Sequence, residues 1–430
     1  MEVVTMRKSV GFLFIIIITT VLNGCVLSKS PNANSASVTI GEHRTFTLSI
    51  FPPNATFDWT LDGASVTGQG KSYQYTATGG EHSLRVTATH FMGTDRQTWT
   101  ISDTTVKPHG SRLLGIDITK SQSGTYDDAI NLAKSVGIDF VALTLNWDMI
   151  ETSPGVYDDT WLDVANLYYP AQGVKLALIL STIATVADCR PADLRSLAWN
   201  DPSVVQRYKN LVDHTLSRLE EVSLIALSIG SEVDGYLGAD ISKWNEYTDF
   251  YSQASAYVKT KVSSKTSVGV KTTFDSTVTR QPVLVQALNA SSDTIFVTYY
   301  PLKADFTVKN PDVVSADFAS LIALYPGRKI LFLEIGYPSG ALCASSEELQ
   351  RRFVENVFSA WDEHDDVVAA VNFEWLHDLS QSEVDWYAEF FGISDPRFKE
   401  YIKTLGLRYS SGAEKTAFGE LLMQADARGW

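Results

Sequence analysis

Two hydrophobic patterns divide the chain. Between residues 36 and 103, short runs alternate apolar and polar positions, which predicts strands near Ser37–Ile40, Thr45–Ile50, Thr56–Leu61, Ser72–Ala77, Ser83–Thr89 and Thr98–Ser102. Pro52-Pro53, Asp62-Gly63 and Gly79-Gly80 fall between them and favour chain reversal. Phe57, Trp59 and Leu61 alternate as an inward-facing row does. Six or seven strands in about 70 residues predict a small β-sandwich over 36–107.

After Lys107-Pro108-His109-Gly110, which reads as a linker, the pattern changes. Eight apolar runs follow, near Leu113–Ile118, Asp139–Leu145, Lys175–Leu180, Leu224–Ile229, Thr266–Val270, Thr294–Val297, Lys329–Leu333 and Val367–Phe373. Continuous apolar runs suit strands covered on both faces, as in a parallel sheet. Helical periodicity separates them, for example at Thr125–Val136, Pro202–Val222, Ser242–Val262, Val314–Leu324 and Glu347–His364. Asp201-Pro202 supplies an N-cap and first-turn pair. Eight strand–helix units over 111–430 predict a (β/α)8 barrel. No GxGxxG or phosphate-binding loop follows the first strand, which removes the usual reason to choose a doubly wound sheet.

The first 24 residues read as a targeting segment: Arg7-Lys8, an apolar run from Val10 to Ile18, then Leu22-Asn23-Gly24-Cys25. That last stretch resembles the lipobox of bacterial lipoproteins. The resemblance implies an exported protein lipidated at Cys25 and held at a membrane in the cell envelope or at the cell surface. Residues 25–35 are then expected to be a polar tether. The chain has three cysteines; Cys189 and Cys343 lie in no metal-type spacing, and their pairing stays open. A net charge of −15 argues against a nucleic-acid partner.

In a barrel of this kind the active site is built from the loops that follow the strands. In chain order those loops hold Asp117; Asn146-Trp147-Asp148; Ser181-Thr182; Ser231-Glu232; Lys271 and Asp275; Tyr299-Tyr300-Pro301; Glu334 with Tyr337; and Glu374-Trp375 with His377-Asp378. Carboxylates, tyrosines and tryptophans suit a sugar, with aromatic faces against C–H faces and carboxylates against hydroxyls. Glu232 ends the fourth apolar run and Glu334 the seventh, each just before the strand breaks at Gly or Pro. Two such carboxyls can act as acid/base and nucleophile on a glycosidic bond.

These residues resemble those of clan A glycoside hydrolases, whose acid/base follows strand four and whose nucleophile follows strand seven. The resemblance covers the barrel, about residues 112–430. Within the clan, LEIGYP at 333–338, TYYP at 298–301, NWDMIETSPGVYD at 146–158 and LGLRYSSGAEKTAF at 405–418 are most similar to endo-β-1,4-galactanases and related endo-glycanases. It implies a retaining β-glycosidase with Glu232 as general acid/base and Glu334 as nucleophile. Trp147, Ser231, Tyr299, Tyr300, Tyr337 and Trp375 would bind substrate, with Trp375 as the sugar platform. A β-linked poly- or oligosaccharide would be the partner of a monomeric enzyme with no metal or organic cofactor. One departure stands at Ser231, where the clan usually places an Asn that bonds the sugar 2-hydroxyl; some β-mannanase families also lack it. The sandwich resembles immunoglobulin-like or PKD-type modules through Trp59, Asp62-Gly63 and Gly80–Val86. Such modules bind glycans or hold an enzyme away from its anchor; with no exposed aromatic row legible, a spacer is the expectation, and glycan binding stays open.

Other chemistries find less support. Gly230-Ser231 lacks the GxSxG pattern of a nucleophile elbow, and none of the seven histidines sits in an HExxH motif. A lone Glu at a strand end is commonly a solvated loop residue; two, at strands four and seven, are not readily explained that way. Glu374 is a rival carboxyl. The alternative from another class is a surface glycan-binding lipoprotein on a catalytically degenerate barrel.

Overall fold

Antiparallel pairing organises the residues up to Asp103 in the computed structural model, which describes residues 25–430 apart from 32, 33, 41, 42, 52, 92 and 105. The targeting segment, 1–24, lies outside the described residues. A three-stranded sheet runs Cys25–Ser30, His43–Phe51, Ser72–Thr76. A five-stranded sheet runs Ser35–Thr39, Gly93–Thr104, Gly80–His90, Thr56–Leu61, Ala64–Val66. Their inner faces share one core, with Phe46 and Leu48 from the first sheet against Trp59, Leu84, Val86 and Trp99 from the second. The Trp59 and Trp99 rings stack 6.1 Å apart. The predicted tether is corrected here: Cys25–Ser30 is a strand paired antiparallel to His43–Phe51. Main-chain hydrogen bonds make this strand, while Val26 and Leu27 stay exposed, so no buried alternation marks it in the sequence.

Residues from Thr104 onward form a second compact unit. Its strands run parallel: Leu113–Ile116, Phe140–Asn146, Lys175–Ala184, Leu224–Ser231, a fifth strand in two pieces (Ser267–Gly269 and Lys271–Thr273), Ile295–Tyr299, Ile330–Ile335 and Val368–Phe373. The eighth pairs with the first, from Ala370 opposite Leu113 to Phe373 opposite Ile116. The break at Val270 divides the fifth strand, whose first piece bonds strand four and whose second bonds strand six. The barrel interior is filled by Phe140, Ala177, Ala226, Phe296, Leu331, Leu333 and Ala370. A larger core lies between strands and helices. Helix starts follow their caps: Asp201 accepts from Ser203 N with Pro202 in the first turn, and Ser346 accepts from Leu349 N.

The N-terminal end of the barrel is closed by a buried charge cluster. Asp362 accepts from Arg112 Nη1 at 2.7 Å and from Arg428 Nη2 at 2.7 Å. Arg112 also donates to the carbonyls of Lys107, Pro108 and His109, and Arg428 to Gln424. Trp361 and Trp430 flank the Arg112 guanidinium. Trp430 Nε1 donates to Asp139, whose same oxygen accepts from Leu114 N. The ends of the unit therefore meet beside the first strand.

Candidate active site

At the other end of the barrel the strands deliver a cluster of carboxyls around one lysine. Glu232 follows strand four, after a kink that only glycine fits. Gly230 has φ +105, and a Cβ there would meet Val233 Cγ1 at 2.5 Å and the Tyr247 hydroxyl at 2.7 Å. Glu232 itself is left-handed, with φ 47, a conformation that costs free energy and concentrates at functional positions. Its carboxyl is held from two sides. Thr185 Oγ1 donates to Oε2 at 2.8 Å, and Thr298 Oγ1 to Oε1 at 2.6 Å. Burial and the neighbouring charge of Glu334 push Glu232 up to about 7, against the pull of Lys271.

Glu334 extends from strand seven. Lys271 Nζ donates to its Oε1, and the Tyr300 hydroxyl to its Oε2 at 3.2 Å. The Tyr300 ring reaches this place because residue 336 is glycine: a Cβ there would stand 2.9 Å from Tyr300 Cε1. Lys271 begins the second piece of strand five and is 1% exposed. Burial disfavours its ammonium, but the charges of Glu334, Glu232 and Glu374 outweigh that and raise its pKa.

Asp117, from strand one, and Glu374, from strand eight, complete the cluster. They share a hydrogen bond, and Asn372 Nδ2 donates to Asp117 Oδ1 at 2.7 Å. Burial, with the charges of Asp117 and Glu334, holds Glu374 well above the usual carboxyl range. Burial lifts Asp117 to about 6. Glu374 Oε2 is buried without a hydrogen-bond partner. Trp375 follows by a cis peptide bond, is half-buried, and lies 5.6 Å from the Tyr387 ring.

Of the eight residues read from the sequence for catalysis or substrate binding, Glu232, Glu334 and Tyr300 meet at this cluster. Trp375 directly follows Glu374, and Ser231 adjoins Glu232 with its carbonyl accepting from Thr185 N at 2.8 Å. Three expected substrate contacts are corrected. Trp147 has no exposed surface; it packs edge-on to Tyr208 and donates its indole N–H to Glu151 at 2.8 Å. Tyr299 points to the opposite side of its strand from Tyr300, donating to Asp317 at 2.7 Å among Phe274, Phe318 and Phe332. Tyr337 is buried against Phe353 and donates to the Lys309 carbonyl. Asp378 also turns away, paired with buried Lys415 at 2.6 Å. Cys189 and Cys343 are separate buried thiols, each pushed up to about 12, chiefly by burial. Among the described residues, no group of three or more His, Cys, Asp or Glu side chains is arranged to hold a metal ion.

The sequence reading assigned no role to Thr185 and Thr298, which hold Glu232, or to Lys271, which holds Glu334. A lysine at the end of an otherwise apolar barrel strand was the available signal for the last.

No family model and no curated protein matches this sequence. The fold is nonetheless shared with (β/α)8 glycoside hydrolases of clan A. A GH5_18 structure from Bifidobacterium longum subsp. longum superposes with a TM-score of 0.56 at 12% identity, covering 74% of this chain and 79% of that one. An exo-β-1,4-mannosidase from Opitutaceae bacterium strain TAV5 gives 0.56 at 14% identity, over 74% of this chain and 59% of its own. A family 39 glycoside hydrolase from Bacteroides cellulosilyticus WH2 gives 0.50 at 12% identity, over 91% and 81%. A related GH5_18 structure, from Streptomyces cattleya, holds Manβ1-4GlcNAc.

Proposed function

We propose that this protein is a retaining β-glycoside hydrolase acting on a β-linked poly- or oligosaccharide, of β-mannan or β-1,4-galactan type. The observation that carries the reading is the pair Glu232 and Glu334 at the ends of strands four and seven, in unequal surroundings. Glu232, raised to about 7 by burial and by Glu334, is a proton donor near neutrality. Glu334, paired with Lys271 and Tyr300, is held as an oriented carboxylate. In the first step Glu334 attacks the anomeric carbon, the glycosidic C–O bond breaks, and Glu232 gives its proton to the leaving oxygen. In the second, Glu232 takes a proton from water as that water displaces Glu334, and configuration is retained. Trp375 is the proposed platform for the sugar ring. The Asp117–Glu374 pair offers both a donor and acceptors to its hydroxyls.

The mannan-type reading draws on the mannosidase and the Manβ1-4GlcNAc complex among the similar structures, and on Ser231 in the position where an Asn is usual. Reducing-sugar release from β-mannan, β-galactan, β-glucan and xylan tests it. Release from the first or second is expected. Inactivity on all four, and on aryl β-glycosides, would favour the glycan-binding alternative.

We further propose that the chain is exported and lipidated at Cys25, and that the sandwich is an immunoglobulin-like spacer between anchor and enzyme. Mass spectrometry of the mature N-terminus is the test; an unmodified Cys25 would overturn the anchor.

A further inference from the structure

The connection after strand eight holds two helices, Gln381–Phe391 and Pro396–Lys403, before the last helix begins at Thr416. They carry a small core of their own, with Val384, Ala388, Phe398 and Ile402 buried and Trp375 packed against it. From the catalytic cluster a row of rings crosses this cap. Trp375 adjoins Tyr387 at 5.6 Å, and Tyr387 meets Trp386 edge-on at 4.9 Å. Trp386 is 58% exposed, and Phe390 stacks on it 5.5 Å away within 12° of parallel.

A single exposed tryptophan is ordinary on a protein surface. This one differs in being continuous with the catalytic cluster and in bordering a shallow pocket that Tyr387, Ser382 and Glu383 also line. The capping box fixes the Glu383 carboxylate there, its Oε2 accepting from Ser380 N at 2.7 Å. An aromatic face with hydroxyl and carboxylate groups beside it is the chemistry that binds a pyranose ring.

We propose that Trp386, with Ser382 and Glu383, forms a sugar-stacking subsite continuous with the aromatic row from Trp375. It takes a neutral pyranose unit of a β-linked chain, further along than the unit over Trp375. Glu383 at the pocket and a net charge of −15 favour neutral hexoses over uronates. The inference rests on the hydrolase reading and adds to it that the enzyme engages several units of one chain.

The test uses β-1,4-linked manno- and galacto-oligosaccharides, from disaccharide to hexasaccharide, with the full chain. In the wild type kcat/KM should rise with length. In W386A the ratio of hexasaccharide to disaccharide kcat/KM should fall about tenfold, and W386F should restore most of it. Unchanged thermal unfolding would confirm that W386A is folded. By calorimetry, E334Q should bind the hexasaccharide about tenfold more tightly than E334Q/W386A. Equal affinities, no binding, or a length dependence untouched by W386A would overturn the subsite. Trp386-dependent binding without turnover of any glycoside would keep the subsite and overturn the hydrolase reading.

Discussion

At the N-terminal end of the barrel one carboxylate, Asp362, lies between two guanidiniums; at the C-terminal end one ammonium, Lys271, lies among four carboxyls. Both groups are buried, so both carry the cost of leaving water. Asp362 offsets that cost with two charged partners, and the arginines around it also satisfy main-chain carbonyls. The mouth does not balance in this way. Glu232 is pushed to about 7, Asp117 to about 6, and Glu374 well above the usual carboxyl range. Glu374 Oε2 has no partner, and the Glu232 backbone is left-handed. A buried charge with every partner present fastens the fold. A buried cluster with too few cations favours the protonated form of its carboxyls.

That contrast can be broken most directly at Glu334. E334A should lose about 10⁵-fold or more in kcat/KM on every substrate, because no other group forms the intermediate. Azide should restore turnover with the inverted α-azide as product, read by NMR. A retained product, or near-normal activity, would remove Glu334 from the mechanism.

E232A should lose about 10²–10⁴-fold on substrates with poor leaving groups and much less on aryl glycosides whose leaving group needs no proton. Azide should here give product of retained configuration. The wild-type pH profile sharpens the point. Because the reaction needs protonated Glu232, kcat/KM should fall as pH rises through about 7, and E232A should lack that alkaline limb. An alkaline limb unchanged in E232A would assign it to another group.

Effects at the opposite end should be confined to stability. D362A leaves Arg112 and Arg428 buried and unpaired and should cost about 3–5 kcal/mol of unfolding free energy, measured by denaturant titration. The protein that remains folded should keep its kcat. A lower kcat with unchanged stability would mean the two ends are coupled.

The smallest effect is expected at Glu374. Burial and the charges of Asp117 and Glu334 favour its neutral form, so the isosteric amide in E374Q should change stability by less than about 1 kcal/mol. E334Q is expected to abolish turnover despite the same change of atoms. A large stability loss in E374Q would show that Glu374 is ionised in the folded protein.

The barrel was legible because its apolar runs stand out, and Glu232 and Glu334 because each stands at or just past the end of such a run. Glu232 and Glu334 needed only a count of strands. Residues near strand ends were harder, because side chains alternate between the interior and the helices. Tyr299 and Tyr300 adjoin in sequence and face opposite ways, and nothing local says which is inward. Trp147 lies one residue beyond its strand, where the turn sends it against Tyr208. Thr185 and Thr298 reach Glu232 from two other strands, and only the assembled ring brings them together. The Cys25–Ser30 strand is made by main-chain pairing alone, which side-chain alternation cannot announce.

The cluster around Asp362 bears on the order in which this unit assembles. Arg112 and Leu114 stand at its start, Arg428 and Trp430 at its finish, and the contacts joining them close a loop of roughly 300 residues, among the longest the chain could make. Until the last helix docks, Asp139, which accepts from the first strand's Leu114 N, lacks its contact from Trp430, and Arg112 shares Asp362 with no second guanidinium. A polypeptide emerging from its N-terminus can pair neighbouring strands early, but this fastening waits for the final turn of helix. The four strands that carry the carboxyls of the opposite mouth all precede that last helix, so its docking fastens the unit without supplying a residue to the cluster.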